Sequence, residues 1–350
     1  MSKQNPFEGS AAGIPTFSVI MPAYNTERFV DKALDSLLQQ HCQDFEVVFI
    51  DDGSTDNTAS LARKILSHWG GGYTFLHQEN QGVGRARNNA IKHARGKYLF
   101  FLDSDDTVGP EMLGQVRGVV ERSFPDVVAT GWKRIDEEGE EIEDGFFYHS
   151  NTPEMPSEPS ERIVQFLKGL FPLWIGAFLV KRSLVEEKMI EFFSRLPVHD
   201  DVFFMLRCLF HMESYELIDK ELSSYRKRKG SVTLDRNYED LVLKAEIHLM
   251  REVKRLFDGL DRCPGESVKY CNRRLTLAYF RRLKGFVMEG REDLFSLASR
   301  EGVFRNLLSD MTLSGSYSAN DRFKAFLALF FPVLYRLRYR IKRKKLSKLH

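Results

Sequence analysis

The 350-residue chain predicts an α/β fold with a mostly parallel central sheet, followed by a C-terminal helical region. Two observations carry most of that expectation. Short, almost wholly apolar runs alternate with amphipathic segments over residues 17–106, as in a parallel sheet covered on both faces. Three of those runs end in polar or acidic clusters, Pro22-Ala23-Tyr24-Asn25, Asp51-Asp52-Gly53-Ser54 and Asp103-Ser104-Asp105-Asp106. Ligands of such sheets sit beyond the carboxyl ends of the strands, so the three clusters mark one ligand-holding edge.

Phe17 to Met21 is the first strand, bounded by Pro15 and Pro22. Val30, Ala33, Leu34, Leu37 and Leu38 stand at helical spacing within Phe29 to Leu38, and Glu46 to Ile50 is a β-branched and aromatic strand. The Asp/Gly/Ser/Thr cluster that follows turns the chain and caps a helix over Thr58 to His68. Tyr73 to His77 reads as a strand, Gly84 to His93 as a helix and Tyr98 to Leu102 as a strand. Past Asp106 the pattern loosens. Val127 to Thr130 resembles a strand, and the acidic, Pro/Ser-rich 134–160 reads as a surface loop or flap. A helix is expected after His199-Asp200-Asp201, running to Met212. From about Tyr238 the chain reads as helices, with Val242, Ala245, Leu249, Val253 and Leu256 on one face and a similar pattern over Leu275 to Leu283. The expected division is an N-terminal extension 1–16, a sheet domain 17–234, a helical region 235–324 and a tail 325–350.

Composition narrows the class. Met1 to Thr16 lacks the apolar core of a signal peptide, and no run of 18 apolar residues spans a bilayer. Cys42, Cys208, Cys263 and Cys271 form no close pair, and the nine histidines show no zinc spacing, so a reduced, cytoplasmic protein without zinc or disulfide framework is expected. The net charge of +2 conceals a division: residues 335–350 hold eight Lys/Arg and no acid, leaving the remainder acidic at −6. Ala325 to Leu334, apolar but too short to cross a bilayer, adjoins that basic run, and together they suit the surface of an anionic cytoplasmic membrane leaflet. A nucleic-acid partner is excluded by the acidic body.

Asp103 and Asp105 close an apolar run two residues apart, and a hard cation such as Mn²⁺ or Mg²⁺ relieves their repulsion while accepting phosphate oxygens. In Asp51 to Asp56, Ser54, Thr55 and Asp56 suit turn and cap, which leaves Asp52 to accept from a base N–H or ribose hydroxyl. Gly82-x-Gly84-Arg85-x-Arg87-Asn88 departs from the dinucleotide fingerprint; Arg85 or Arg87 either faces a diphosphate or supports Asp103 and Asp105. Of the adjacent Asp200 and Asp201, one caps or orients and the other works as a base, with the helix dipole favouring its ionised form. Arg226 to Ser231 is either a solvated basic loop or one that closes over a diphosphate.

Taken together, Ser18-Val19-Ile20-Met21-Pro22-Ala23-Tyr24-Asn25, Asp51 to Asp56, Gly82 to Asn88 and Phe101 to Asp106 closely resemble family 2 of the inverting glycosyltransferases, which have the GT-A fold. The resemblance runs from Phe17 to about Thr233 and points to a bacterial surface-polysaccharide or lipid-linked oligosaccharide type. It implies that Pro22, Ala23, Tyr24, Asn25 and Glu27 line the nucleotide pocket, with Asp52 at the uracil or ribose and Arg85 and Ser104 in the same donor set. Asp105 becomes the principal metal ligand, with Asp103 toward ribose or metal; Asp201 becomes the base, with Asp200 beside it. Arg226, Arg228 and Ser231 match the donor-phosphate loop. Trp174 and Gly176 border the acceptor site, although Lys181-Arg182 replaces the usual segment that follows that tryptophan.

The implied reaction is metal-dependent transfer of a sugar from a UDP-sugar to a hydroxyl of a glycan or polyprenyl-diphosphate-linked saccharide. It would take place at the cytoplasmic face of the membrane, with a homodimer left open. The alternative is a non-catalytic nucleotide-sugar-binding protein of a polysaccharide assembly complex.

Overall fold

In a computed structural model the described residues are 13–142, 154–171, 173–194, 199–228 and 238–274, with Arg322 and Lys324. The chain divides into two compact units, Met1–Leu234 and Asp235–His350. Ser231, the helical pattern over 275–283 and the tail 325–350 lie outside the described residues.

The first unit begins with β1 (Phe17–Ala23), α1 (Val30–Leu38), β2 (Phe45–Asp51), α2 (Thr58–His68), β3 (Gly72–His77), α3 (Val83–Ile91) and β4 (Tyr98–Phe101). These four strands pair in parallel in the order β3-β2-β1-β4. β1, β2 and β4 are buried at every position, so they read as continuous apolar runs rather than alternating ones. Phe17, Phe49, Tyr98 and Phe100 are completely buried in the core, closed from outside by Val30, Leu34 and Leu37 of α1 and Ala62 and Leu66 of α2.

β1 runs two residues past its expected end and includes Pro22. A proline lacks the N–H that a central strand needs. Ile20 accepts from Leu102 N on the β4 side and Ala23 accepts from Asp52 N on the β2 side, so alternation points Pro22 toward β4. The pairing with β4 stops at Ile20, and the missing donor therefore falls where no strand waits for it.

The second half is mixed. It contains β5 (Thr107–Val108), α4 (Met112–Ser123), β6 (Val127–Ile135), α5 (Pro159–Leu167), a short 3-10 turn Ile175–Ala177, β7 (Phe178–Lys181), α6 (Arg182–Glu187), α7 (Asp200–His211) and β8 (Tyr215–Arg226). β7 joins β4 antiparallel and carries the sheet on through β6 and β8 to β5, eight strands in all among the described residues. β6 extends five residues beyond its expected end, so 134–160 is not wholly a loop: Ile135 pairs with Glu141, and α5 begins at Pro159. The β6–β8 register slips on either side of Gly131, where a Cβ would lie 2.7 Å from the Lys220 carbonyl. Beyond that irregularity Trp132 pairs with Ser223 and Ile135 with Arg226, bringing Tyr225 and Arg226 toward the residues after β4.

In the second unit, α8 (Tyr238–Asp258) and α9 (265–274) are the described helices, with Ala245, Leu249, Val253 and Phe257 buried along α8. Cys271 is buried against the Met250 carbonyl, and Arg274 pairs with Glu246 at 3.0 Å. Among the described residues no helix is long and apolar enough to cross a membrane.

At the amino end of the sheet, buried Glu46 accepts from Ser18 Oγ, Arg95 N and Arg95 Nε, while Gly96 N donates to Ser18 Oγ at 2.7 Å. A Cβ on Gly96 would collide with the Ser18 amide and the Phe17 carbonyl carbon, atoms of a central strand that cannot yield. Gly96→Ala is expected to cost about 1–3 kcal/mol, read as a lower urea midpoint at unchanged slope.

Candidate active site

The carboxyl edge of β1, β2 and β4 is built by loops that grip one another. Asn25, at φ +50°, donates its amide to Ser54 Oγ and accepts from Thr55 N. Glu27 accepts from the amide and side chain of Asn57, at the start of α2. Gly53 needs its positive φ of 76° and its missing side chain alike, since a Cβ would lie 2.7 Å from Asn80 N. Pro22 and Ala23 are buried beneath this layer, and Tyr24 is 45% exposed above it.

Both aspartates of the Asp51-Asp52 pair have structural partners: Asp51 accepts from Ser54 N and meets His77 Nδ1 at 2.7 Å. Asp52 is not left free. Its Oδ1 accepts from Gln78 Nε2 and Gln81 N and its Oδ2 from Gly82 N, so a single Oδ2 lone pair remains for a ligand N–H. Glu27 and Asn25 likewise spend acceptors on the loops, which ties those loops together.

Residues 103–106 form a turn closed by Asp106 N on the Asp103 carbonyl, so strand alternation ends at Phe101. Ser104 is buried against Thr26, hydroxyl to hydroxyl at 2.9 Å, below the edge. Asp103 pairs with Arg87 at 2.6 Å and Asp105 with Arg228 at 2.5 Å. Burial pushes the Asp105 carboxyl above the usual range; Arg228 opposes that shift and Asp103 adds to it. Asp106 is pushed up further by burial and by Asp105 and Asp103, and its buried Oδ2 has no partner among the described residues.

This donor set fits a hard divalent cation. Two mutually repelling carboxylates, each anchored on one oxygen by a guanidinium and with the other unclaimed, suit Mn²⁺ or Mg²⁺ that takes its remaining ligands from phosphate. Among the described residues no three His, Cys, Asp or Glu side chains are placed to hold an ion by themselves.

The basic residues divide differently from expectation. Arg226 is 4% exposed, and its guanidinium donates to the carbonyls of Asp105, Asp136 and Glu137 while its amide donates to Asp106 Oδ1. It therefore holds the acidic turn rather than facing solvent, whereas Arg228 reaches the Asp105 carboxylate and keeps partial exposure. Arg85 is exposed and makes no hydrogen bond or ion pair among the described residues.

Arg87, grouped with Arg85 in the sequence, is the buried one at 3% exposure, and it bridges Asp103 to Asp200 Oδ2 at 2.8 Å. Burial works against its charge, but Asp103, then Asp200 and Asp201, outweigh that and keep it protonated. A signal for it was present: Gly84, Ala86, Arg87 and Ala90 form the buried face of α3, and an arginine there requires anionic partners. Removing one member of such a buried set costs about 3–5 kcal/mol.

Asp200 and Asp201 occupy the first turn of α7, behind His199 at φ +62°. Asp200 is fixed by Arg87, whereas Asp201 accepts from Val202 N on Oδ1 and, among the described residues, leaves Oδ2 unclaimed. The helix dipole was expected to favour the ionised forms. Burial prevails instead, pushing Asp200 up to about 6 against the pull of Arg87, and raising Asp201 as well.

Trp174 lies across Gly176, in the space a Cβ would need, and meets Trp132 and Tyr225 at 5.5 Å each. Tyr225 links this aromatic group to the acidic turn, since burial and the charges of Asp106, Asp105 and Asp103 push its hydroxyl up to about 12. Neither Trp132 nor Tyr225 was legible as a site residue, because their meeting depends on the β6–β8 register.

Because the folded-state pKa of Asp201 lies above its unfolded value, ionisation opposes folding; the penalty is absent below the unfolded value near 4 and grows as pH rises through the folded one. Asp201→Asn is therefore expected to raise the melting temperature at pH 7.5, with the gain vanishing toward pH 4, as checked by thermal scans at both pH values.

Comparison with known proteins agrees with this geometry. Residues 18–187 match the family described as Glycosyl transferase family 2. The chain is 28% identical over 220 residues to EpsJ, an uncharacterized glycosyltransferase of Bacillus subtilis, covering 63% of each protein. The chain thus spans under two thirds of that relative's length. Glycosyltransferase GlyG of Streptococcus pneumoniae is 30% identical over 225 residues, 61% of this chain and 72% of GlyG. The crystal structure of S. aureus TarS 1–349 in complex with UDP-GlcNAc superposes with a TM-score of 0.65 at 21% identity, covering 95% of this chain and 92% of that one, and shows the fold to be GT-A. With the edge-forming strands inside the matched region and GlyG covered over more than two thirds of its length, the chain belongs to family 2 of the glycosyltransferases.

Proposed function

We propose that the protein is an inverting, metal-dependent glycosyltransferase that moves a sugar from a UDP-sugar to a hydroxyl of a glycan or lipid-linked oligosaccharide, with Asp201 as general base. The observation that carries the reading is the state of Asp201: an acidic side chain one residue from the Arg87-bound Asp200, with one oxygen unclaimed and a raised pKa. A base with its pKa moved toward the working pH combines adequate strength with the correct protonation state.

In this reading Asp52 Oδ2 accepts from the base N–H, and the wall of Pro22, Ala23, Tyr24 and Asn25 encloses the nucleoside. Asp103 and Asp105 hold Mn²⁺ or Mg²⁺, which supplies charge neutralisation to the departing diphosphate. Arg228, beside Asp105, adds a donor for the same oxygens, and Arg226 keeps the acidic turn in shape. Asp201 Oδ2 takes the proton of the acceptor hydroxyl as that oxygen attacks the anomeric carbon from the face opposite the leaving diphosphate. One displacement on an α-linked donor gives a β-linked product. The indole of Trp174 over Gly176 offers an apolar face to the acceptor.

TarS, solved with UDP-GlcNAc, supports the reading of a uridine donor, and its description as a poly(ribitol-phosphate) beta-N-acetylglucosaminyltransferase supports a polymeric bacterial acceptor. The eight positive charges of 335–350 and the apolar stretch before them favour docking on the cytoplasmic membrane surface.

A screen of nucleotide sugars with Mn²⁺ or Mg²⁺ tests the reading. Turnover of a UDP-sugar is expected, with the rate rising through the raised pKa of Asp201 as the base ionises. Asp201→Asn should lower kcat by about 10²–10⁴-fold while UDP binding persists, and Asp105→Ala should abolish the metal-dependent turnover. UDP binding without turnover in wild type would instead support a nucleotide-sugar-binding subunit. For the tail, deletion of 325–350 should abolish co-sedimentation with anionic vesicles and spare donor hydrolysis; retained sedimentation would remove the membrane role.

A further inference from the structure

The Gly84-Arg85-x-Arg87-Asn88 stretch opens α3, where a diphosphate-binding role would require donors that face solvent. Its buried face meets the chain just before α7 instead. Positions 84, 87 and 88 share that face. Asp200 Oδ2 and the Phe193 carbonyl lie 3.4 Å from where a Gly84 Cβ would stand, so this face of α3 packs directly on both. Asn88 accepts from Phe192 N at 2.8 Å and donates to the Phe192 carbonyl at 2.9 Å. Arg87 lies 5.1 Å over the Phe192 ring and spends its two terminal nitrogens on different carboxylates, Asp103 and Asp200.

A guanidinium that is 3% exposed, with each terminal nitrogen bonded to a different carboxylate, is fixed in orientation between them and turned away from solvent. Apolar stacking of Phe192 on Phe204 at 4.1 Å, with Phe101 edge-on to both, holds α7 against the end of β4. Ring stacking tolerates sliding; a two-carboxylate clamp does not.

We propose that Arg87 is a positioning residue for the transfer step. It fixes Asp200, and through it the first turn of α7 that carries Asp201, at a set place relative to the donor-side carboxylate Asp103. The inference rests on the reading of Asp201 as base. It assigns Arg87 an effect on the chemical step rather than on donor affinity, and it makes Asp200 the route of that effect.

The test is a mutant cycle on the full chain with Arg87→Gln, Arg87→Lys, Asp200→Asn and the double variant Arg87→Gln/Asp200→Asn. Transfer from a UDP-sugar is measured alongside UDP binding by calorimetry and thermal melting. Arg87→Gln is expected to lower kcat about 100-fold, the scale of a misplaced reacting group, with UDP affinity and donor KM changed less than about threefold. Arg87→Lys, which keeps the charge but reaches one carboxylate at a time, should recover part of the loss. The double variant should be no slower than the worse single one, because both act on the same linkage.

Losses that multiply in the double variant would overturn the proposal, as would a fall in UDP affinity that matches the fall in kcat. Should Arg87→Gln fail to fold, the Arg87→Lys single and its double with Asp200→Asn decide by the same criterion. An active wild type with a fully active Arg87→Gln variant removes this proposal alone. A wild type that binds UDP and transfers nothing removes the assignment of Asp201 as base, and this inference with it.

Discussion

Three charged groups, Arg87, Asp103 and Asp200, are withdrawn wholly or largely from water at the carboxyl edge of the sheet, and such a set is stable only with every partner in place. That condition constrains elements distant in sequence. β4 must end in a turn that aims Asp103 at α3, α3 must present small residues around its arginine, and α7 must begin against that same face. The glycine at 84 and the alanines at 86 and 90 make room for the approach, while Phe101, Phe192 and Phe204 supply the apolar contact that excludes water from it.

Around this clamp, most polar side chains of the edge serve to organise it. Asn25, Glu27, Asp51, Asp52 and Asp56 all bond to neighbouring loops or strands, so the loops of the edge hold one another in place. Among the described residues the unclaimed oxygens include one on each of Asp103, Asp105, Asp106 and Asp201, and one lone pair on Asp52. A site with its loops already fixed loses little ordering entropy on binding, and each remaining acceptor is directed.

The parallel half of the sheet was legible because its strands are buried on both faces and its helices carry an apolar stripe; Thr58–His68 agrees with expectation to the residue. α4 was not, although Met112, Leu113, Val116 and Val120 stand at helical spacing, because Gly114 and Gly118 weaken the helical signal between them. β8 was hidden by Glu216, Asp219, Lys220 and Glu221, which suit its exposed middle and mask the strand period. The acidic pairs of the site announce themselves, since adjacent carboxylates at element ends need a reason. Arg226 and Arg87 do not, because their partners lie between 16 and 121 residues away and the choice between Arg85 and Arg87 turns on which face of α3 is buried.

The bond pattern of Asn88 carries one more implication. It holds Phe192 by the main-chain amide and carbonyl, atoms that every residue but proline provides. The bond from Asn88 to Phe192 is thus indifferent to the side chain at that position, although the Phe192 ring adds its own stacking on Phe204. At that point the contact between α3 and the chain leading to α7 would survive a change of side chain at position 192, since the atoms that make it belong to the backbone.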